Sequence, residues 1–580
     1  MQEPPQARRA ETHIWIFEPA SKNLIQWTNS LKSERLPRWS PDGRSLAFLS
    51  DREDSNQIWV MPARGGEAVR LTEGKNAIRS FQWSPDGKAV AYLAAEPKSA
   101  DQEKREKDLD DPNVADSASG LTRAWVLDMT TRSTRQLTNG PWQVNELEWF
   151  SDGTRLAMIA TDKPAVEQHT EKIYSLPVAG DAGPRVVFEP KGPFNSIRIS
   201  PDGRQLAWLA SPGDGPSAHD LFTCPVDACT PRNLSRGVDR PVMNYQWRDS
   251  PDVQTLFSSG FRTSLRVLGE RPAMLAADTT LDISAFAADR EGRLATVQQS
   301  ATSPSELHWQ GQAVSHFNDA LRALALATPE FYRYKSFDGL EIEAALYRPA
   351  GAAPASPQPL VLLIHGGPAG NWNNRFDGLT QLLTARGYIV MQPNIRGSIA
   401  YGQQFLASNR NDWGGADYKD SIAGVDDLVR RGIADPNRLA IAGWSYGGYM
   451  AEWAITQTDR FKVAVSGAGM ADLATEYGTE QGPEYDEWYF GTPYENFENF
   501  RKSSPIAFVK NATTPTLVLQ GEGDTTDPVS QSQMLYRALK RYNVPTELVV
   551  YPRENHGFRE EKHIVDRDRR IVEWIAKYLR

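Results

Sequence analysis

The sequence predicts two units of different class: an N-terminal β-propeller of about seven blades over residues 1–327, and a C-terminal α/β-hydrolase domain over residues 328–580. Three observations carry this. The first unit repeats a turn and a strand at a period in the forties. From Leu360 onward, short buried apolar runs alternate with helical patterns, which reads as a mostly parallel sheet covered by helices. One of those runs, Leu439-Ala440-Ile441-Ala442, leads into Gly443-Trp444-Ser445-Tyr446-Gly447 and then a helical stretch, Gly448–Ile455.

The repeat is built on turn chemistry. Trp39-Ser40-Pro41-Asp42-Gly43-Arg44 recurs as Trp83-Ser84-Pro85-Asp86-Gly87-Lys88. Altered copies stand at Trp149–Thr154, Ile199–Arg204, Trp247–Asp252 and Asp289–Arg293. Proline fixes φ and glycine takes the positive φ. A second strand recurs between the turns, at residues 13–16, 57–60, 124–127, 173–176, 221–224, 265–268 and 306–309. Seven copies imply seven blades, and six turns imply that the chain begins mid-blade, so that either the first blade is incomplete or residues upstream of Met1 are missing. A charged insertion, residues 100–111, reads as a solvated loop; its other reading is an acidic group projected towards a substrate amine. Asn318–Leu324 reads as a short connecting helix.

Composition narrows the function. A net charge of −9 argues against nucleic acid as a partner. No apolar run is long enough to span a bilayer, and Met1–Arg9 lacks the apolar core of a signal peptide. Two cysteines, Cys224 and Cys229, flank a turn between short strands. Their spacing allows a hairpin-closing disulfide, which would favour a periplasmic or secreted protein over a cytoplasmic one; free thiols are the other reading. With no second cysteine pair, a zinc site is disfavoured.

The strand, Gly-x-Ser-x-Gly and helix form a nucleophile elbow. The turn is so tight that side chains at the flanking positions would clash, and the Ser445 hydroxyl is pushed out above the sheet. Serine needs a general base, and the base an orienting acid. His556 follows the last strand on a loop, whereas His563 falls in the final helix, Ile564–Leu579, and reads as a surface residue. The acid should follow the preceding strand, in Gly521–Asp527, where Asp524 is preferred to Asp527 and Glu522. The backbone N–H of Tyr446 and that of Gly367, in His365-Gly366-Gly367-Pro368, are the candidate oxyanion donors. His365 reads as a structural part of that loop.

These motifs, with Asn394-Ile395-Arg396-Gly397-Ser398 and Tyr551–Phe558, resemble the prolyl oligopeptidase family of serine peptidases, in its bacterial acylaminoacyl-peptidase and dipeptidyl-peptidase-like branch. The resemblance implies a propeller followed by a hydrolase domain, a Ser445–Asp524–His556 triad and short peptide substrates. It also implies a pocket for the residue before the scissile bond lined after Val465, by Met470, Leu473 and Tyr477. The chain departs from the pattern at Gln520 and at Thr526-Asp527-Pro528, where relatives carry histidine and Arg-Val-Pro, and it shows no clear Glu-Glu pair. The function expected is a serine peptidase acting through an acyl-enzyme and releasing acylated amino acids or dipeptides from peptide N-termini. An esterase with the same triad, or a propeller-based binding protein with an inactive hydrolase domain, are the rivals. No metal or organic cofactor is required, and a homo-oligomer is left open.

Overall fold

The computed structural model describes residues 11–579 except 54, 113, 115–119, 166–168, 250, 280, 290 and 352–355. Most of the N-terminal segment, Ser250 in the fifth turn copy and Arg290 in the sixth lie outside the described residues.

The N-terminal part is a β-propeller of six four-stranded antiparallel sheets, spanning residues 34–70, 78–136, 143–188, 194–233, 242–279 and 282–313. Among the described residues the blade count is therefore six, where the sequence suggested about seven. The first copy of the recurring strand belongs to a two-stranded hairpin, Trp15–Glu18 with Asn23–Gln26. That hairpin lies between the last blade and the first. Trp15 meets Phe317 and Phe17 meets Trp309 on one side, with ring centroids 5.0 and 6.2 Å apart. On the other side Ile14 joins Leu46, Phe48, Trp59 and Met61.

The repeated turn works as its chemistry requires. Ser40 Oγ donates to Asp42 Oδ1 at 2.6 Å, the same oxygen accepts from Arg44 N–H at 3.0 Å, and Gly43 sits at φ 68°. The copies at Ser84–Lys88 and Ser200–Arg204 repeat both bonds. The signature tryptophan joins neighbouring blades. Trp83 Nε1 donates to Arg38 O of the preceding blade, and Trp149 Nε1 to Gln82 O, at 3.3 and 3.2 Å. The charged insertion is a helix, not a loop: α1, Ala100–Lys107, starts on a Ser99–Gln102 capping box and buries none of its residues.

The C-terminal part carries an eight-stranded sheet: β1 (Pro329–Lys335), β2 (Glu341–Tyr347), β3 (Gln358–Ile364), β4 (Ile389–Asn394), β5 (Ala434–Trp444), β6 (Phe461–Gly467), β7 (Thr516–Gly521) and β8 (Thr546–Tyr551). Its order is β1-β2-β4-β3-β5-β6-β7-β8, antiparallel for the first two pairings and parallel thereafter. The helices that matter below are α2 (Ala416–Arg430), α3 (Tyr446–Gln457), α4 (Leu473–Tyr477), α5 (Glu484–Phe490), α6 (Val529–Arg541) and α7 (Glu561–Tyr578). Both sheet faces are buried, one under α2 and α3, the other under α7. Strands covered on both sides read as unbroken apolar runs, which is why they were legible.

Polar bonds dock the propeller on the hydrolase. Gly260 N–H donates to Ala400 O at 3.2 Å, and Asn371 Nδ2 donates to Gly260 O at 3.1 Å. Gln381 Nε2 donates to Ala301 O at 2.9 Å. A cleft of about 740 Å³ remains between Lys191–Pro193 and Gly213–Pro216 of the propeller and Glu484, Tyr485, Glu487 and Trp488 of the hydrolase.

Cys224 and Cys229 are bonded, with Cα atoms 4.9 Å apart. Intact-mass spectrometry under denaturing, non-reducing conditions is expected to show a gain of about 2 Da on reduction; no gain would mean free thiols.

Candidate active site

The site begins with a packing constraint. Ser445 lies between β5 and α3 at φ 59° and ψ −124°, a conformation an L-residue adopts at a cost of about 1–3 kcal/mol. The glycines around it leave no room for a side chain. A Cβ on Gly443 would sit 2.4 Å from Gly447 C, and one on Gly447 would sit 2.1 Å from Ile364 O. The elbow is thus wedged against the end of β3.

The loop after β3 lies directly on the elbow. A Cβ on Gly366 would be 3.2 Å from Ser445 Cβ. Gly367 takes φ 61°, and its carbonyl accepts from Gly370 N–H at 2.7 Å. His365 supports the loop from below. It is buried, and burial pulls its pKa down to about 4. Ser398 Oγ donates to Ile395 O at 2.6 Å and so accepts from His365 Nε2–H at 2.9 Å. The Asn394–Ser398 motif is in turn held by Arg396, which clasps Asp420 of α2 with bonds of 2.8 and 2.7 Å. The Tyr446 phenol donates to Asp417 of α2, which turns that side chain into the core. What Tyr446 offers near Ser445 is its backbone N–H, in the first turn of α3, where helical N–H groups lack intrahelical partners.

Asp524 and His556 are brought together. Asp524 follows β7 and its side chain is fully buried. Its Oδ1 accepts from the N–H groups of Thr526 and Asp527 at 3.0 and 3.1 Å. Its Oδ2 accepts from Gln520 Nε2 at 2.8 Å and lies 2.9 Å from His556 Nδ1. Gln520, noted as a departure, therefore orients this carboxylate. Trp444 Nε1, next to the elbow, donates to His556 O at 2.9 Å.

The other two candidate acids stand apart in role. Glu522 accepts from Arg553 N–H at 3.4 Å, at an exposed position. Asp527 reaches the site: Oδ2 lies 3.9 Å from His556 Nδ1, and its carboxyl neighbours both Ser445 and Glu476. Burial alone would depress the His556 pKa. The hydrogen bond from Asp524 and the negative charges of Asp527 and Asp524 outweigh it and hold the imidazole above its ordinary 6.5.

Met470, Leu473 and Tyr477 are all buried after β6. Leu473 has no exposed surface, and Tyr477 Oη donates to Glu487 Oε1 at 2.7 Å. The sequence reading missed the acidic groups nearby, Glu476, Glu480 and Asp486. Their spacing of four and six residues was visible, but nothing in it says that Asp486 folds back from α5 onto α4. Among the described residues, two carboxylate-rich groups have ligand atoms within 4.8 Å of one another: Glu476–Glu480–Asp486, and Glu554–Glu560–His563. In the second, Glu554 already accepts from two backbone N–H groups and lies 2.9 Å from His563 Nδ1.

Comparison with known proteins places the chain. The chain belongs to the prolyl oligopeptidase family. Residues 374–580 match that family's domain, and residues 6–113 match the TolB beta propeller domain. The chain is 31% identical to the uncharacterized peptidase YuxL of Bacillus subtilis (strain 168), over 98% of this chain and 94% of that protein. It is 25% identical to dipeptidyl-peptidase 5 of Porphyromonas gingivalis, over 76% of this chain and 68% of that protein. Uncomplexed acylaminoacyl peptidase of Pyrococcus horikoshii superposes with a TM-score of 0.81 at 25% identity, covering 96% of this chain and 89% of the other.

The electrostatics of His556 are measurable directly. Its ring-proton resonance is expected to titrate with a midpoint above 6.5, because the folded surroundings favour imidazolium. Asp527→Asn removes one of the charges responsible and is expected to lower that midpoint. An unchanged midpoint would mean that Asp527 does not act on the imidazole.

Proposed function

We propose that this member of the prolyl oligopeptidase family is a serine peptidase that cleaves short peptides through an acyl-enzyme on Ser445, acting near the peptide N-terminus. The observation that carries the reading is the Asp524–His556 pair, 2.9 Å apart, beside a strained serine elbow and a glycine loop packed on it. Asp524 holds the imidazole with Nδ1 protonated, which leaves Nε2 to take the Ser445 proton as Oγ attacks the carbonyl. The N–H groups of Gly367 and Tyr446 receive the oxyanion. His556 then protonates the leaving amine, and water repeats the sequence to release the acyl group.

Relatives named as acylaminoacyl and dipeptidyl peptidases support an exopeptidase. Docking of the propeller on the hydrolase supports selection for short chains. We place the boundary between the two parts at 327/328, between the last blade, ending at Ala313, and β1, starting at Pro329. No helix among the described residues is long and apolar enough to cross a membrane.

Ser445→Ala is expected to abolish labelling by a fluorophosphonate probe and to lower kcat/KM by at least ~10⁴-fold. Labelling that survives would assign the nucleophile elsewhere. A matched panel of an N-acetylated amino-acid amide, a free-amine dipeptide amide and a simple ester reads the substrate class. Turnover of the amides is expected, and activity confined to the ester would overturn the peptidase reading.

A further inference from the structure

The buried acidic groups beside Ser445 are more than the proposed triad needs. Asp524 is consumed by His556, Gln520 and two backbone N–H groups. Asp527 is not. It lies in the loop before α6, is 3% exposed, and its Oδ2 makes no hydrogen bond among the described residues. Its carboxyl interacts with Ser445 and with Glu476. Beyond Glu476 stand Glu480 and Asp486, with one oxygen of each of the three within 4.8 Å of the others. Glu476 and Asp486 are 2% and 3% exposed, while Glu480 is only half-buried. Oxygens of all three, Glu476 Oε2, Glu480 Oε1 and Asp486 Oδ2, also lack a hydrogen-bond partner among the described residues.

Four carboxyl groups from three segments thus form one acidic track, with Asp527 next to the nucleophile and Glu476 joining it to Glu480 and Asp486. The positive group acting on it is His556, at the Asp527 end. Glu484 adds a further negative charge beside Glu480. Burial and mutual repulsion raise the pKa of every member. Unpaired carboxylates at this depth cost free energy unless protonated or met by a cation. Buried carboxyl oxygens without a donor beside Ser445 are open to a positive group, which would take the place of the protons that otherwise keep these carboxyls neutral.

We infer that Asp527, Glu476, Glu480 and Asp486 receive the cationic side chain of a lysine or arginine at the residue whose carbonyl Ser445 attacks. Chemistry decides between the cations of a peptide. In an acylated amino acid or a dipeptide the nitrogen of that residue is an uncharged amide, and the free amine of a dipeptide belongs to the residue before it. A lysine or arginine side chain carries its charge several bonds from the attacked carbonyl, on the side where Asp527 and Glu476 stand beside Ser445. The inference deepens the acyl-transfer reading of Ser445 and rests on it.

The test is kcat/KM of the full chain on arginine, citrulline, lysine and norleucine p-nitroanilides, each N-acetylated and N-alanylated, with the same acyl groups as ethyl esters. Citrulline and norleucine keep the shape and lose the charge. The charged member of each pair is expected to be preferred by at least about 100-fold, the scale of losing one partner of a buried ion pair. Asp527→Asn and Glu476→Gln are each expected to cut that ratio to about 10-fold or less, with fluorophosphonate labelling reporting a folded, reactive serine. If one variant fails to label, Asp486→Asn supplies the second reading. Equal rates within the pairs, or ratios that the variants leave intact, would overturn the inference. So would a preference for the free amine whatever the side chain, or a divalent metal retained in the wild type and lost in the variants. If the anilides resist and the esters react, the peptidase reading falls, and the ester pairs still report on the acidic track.

Discussion

The close approach of Gly447 to the end of β3 is the constraint on which the rest depends. With the position of a Gly447 Cβ 2.1 Å from Ile364 O, strand, elbow and helix can pack in one way only. That packing forces Ser445 to φ 59° and presents its hydroxyl where the glycine loop after β3 meets it. The strain, about 1–3 kcal/mol, is offset by a thoroughly buried neighbourhood: Tyr446, Tyr449, Met450, Ala451 and Ala454 of α3 are each no more than 1% exposed. The oxyanion loop, the elbow and the tautomer of His365 form one assembly, fixed from below by Ser398, Arg396 and Asp420.

On this rigid base sits an unusually acidic electrostatic field. Asp524 is saturated with donors and pairs with His556. Asp527 adds a second carboxyl 3.9 Å from the same ring. The field holds the imidazole towards its charged form; under the proposed mechanism, where the neutral ring takes the Ser445 proton, that moves full activity towards higher pH. The excess of carboxyl groups extends past the triad along Glu476, Glu480 and Asp486, so the same charge that tunes the base also colours the ground beside the nucleophile.

The elbow, the Asp524–His556 pair and the glycine loop were legible because local chain geometry enforces them. Gly443, Ser445 and Gly447 are a backbone requirement, and His556 and Asp524 sit on loops whose order follows the strands. The propeller was legible from Ser-Pro-Asp-Gly, whose hydrogen bonds are all within six residues. The blade count was not. Strand copies can be counted in sequence, but the first copy pairs as a two-stranded hairpin wedged between the last blade and the first. The charged insertion proved helical because Ser99 and Gln102 cap it, a signal that the reading from charge alone did not use. The acidic track was illegible for a different reason. Asp527 was visible as an alternative acid and as a departure from Arg-Val-Pro. Its meeting with Glu476 and Asp486 depends on how α4, α5 and the loop before α6 pack, and on nothing local.

The central claim is that this geometry makes Ser445 a nucleophile that carries the acyl group. Rapid-quench mixing with the p-nitrophenyl ester of an N-acetylated amino acid, followed by peptide mapping, tests it most directly. The account predicts a burst of p-nitrophenol close to one equivalent per active site and the acyl group on the peptide containing Ser445. Steady release without a burst, together with no adduct on trapped enzyme, or an adduct on another residue, would contradict it.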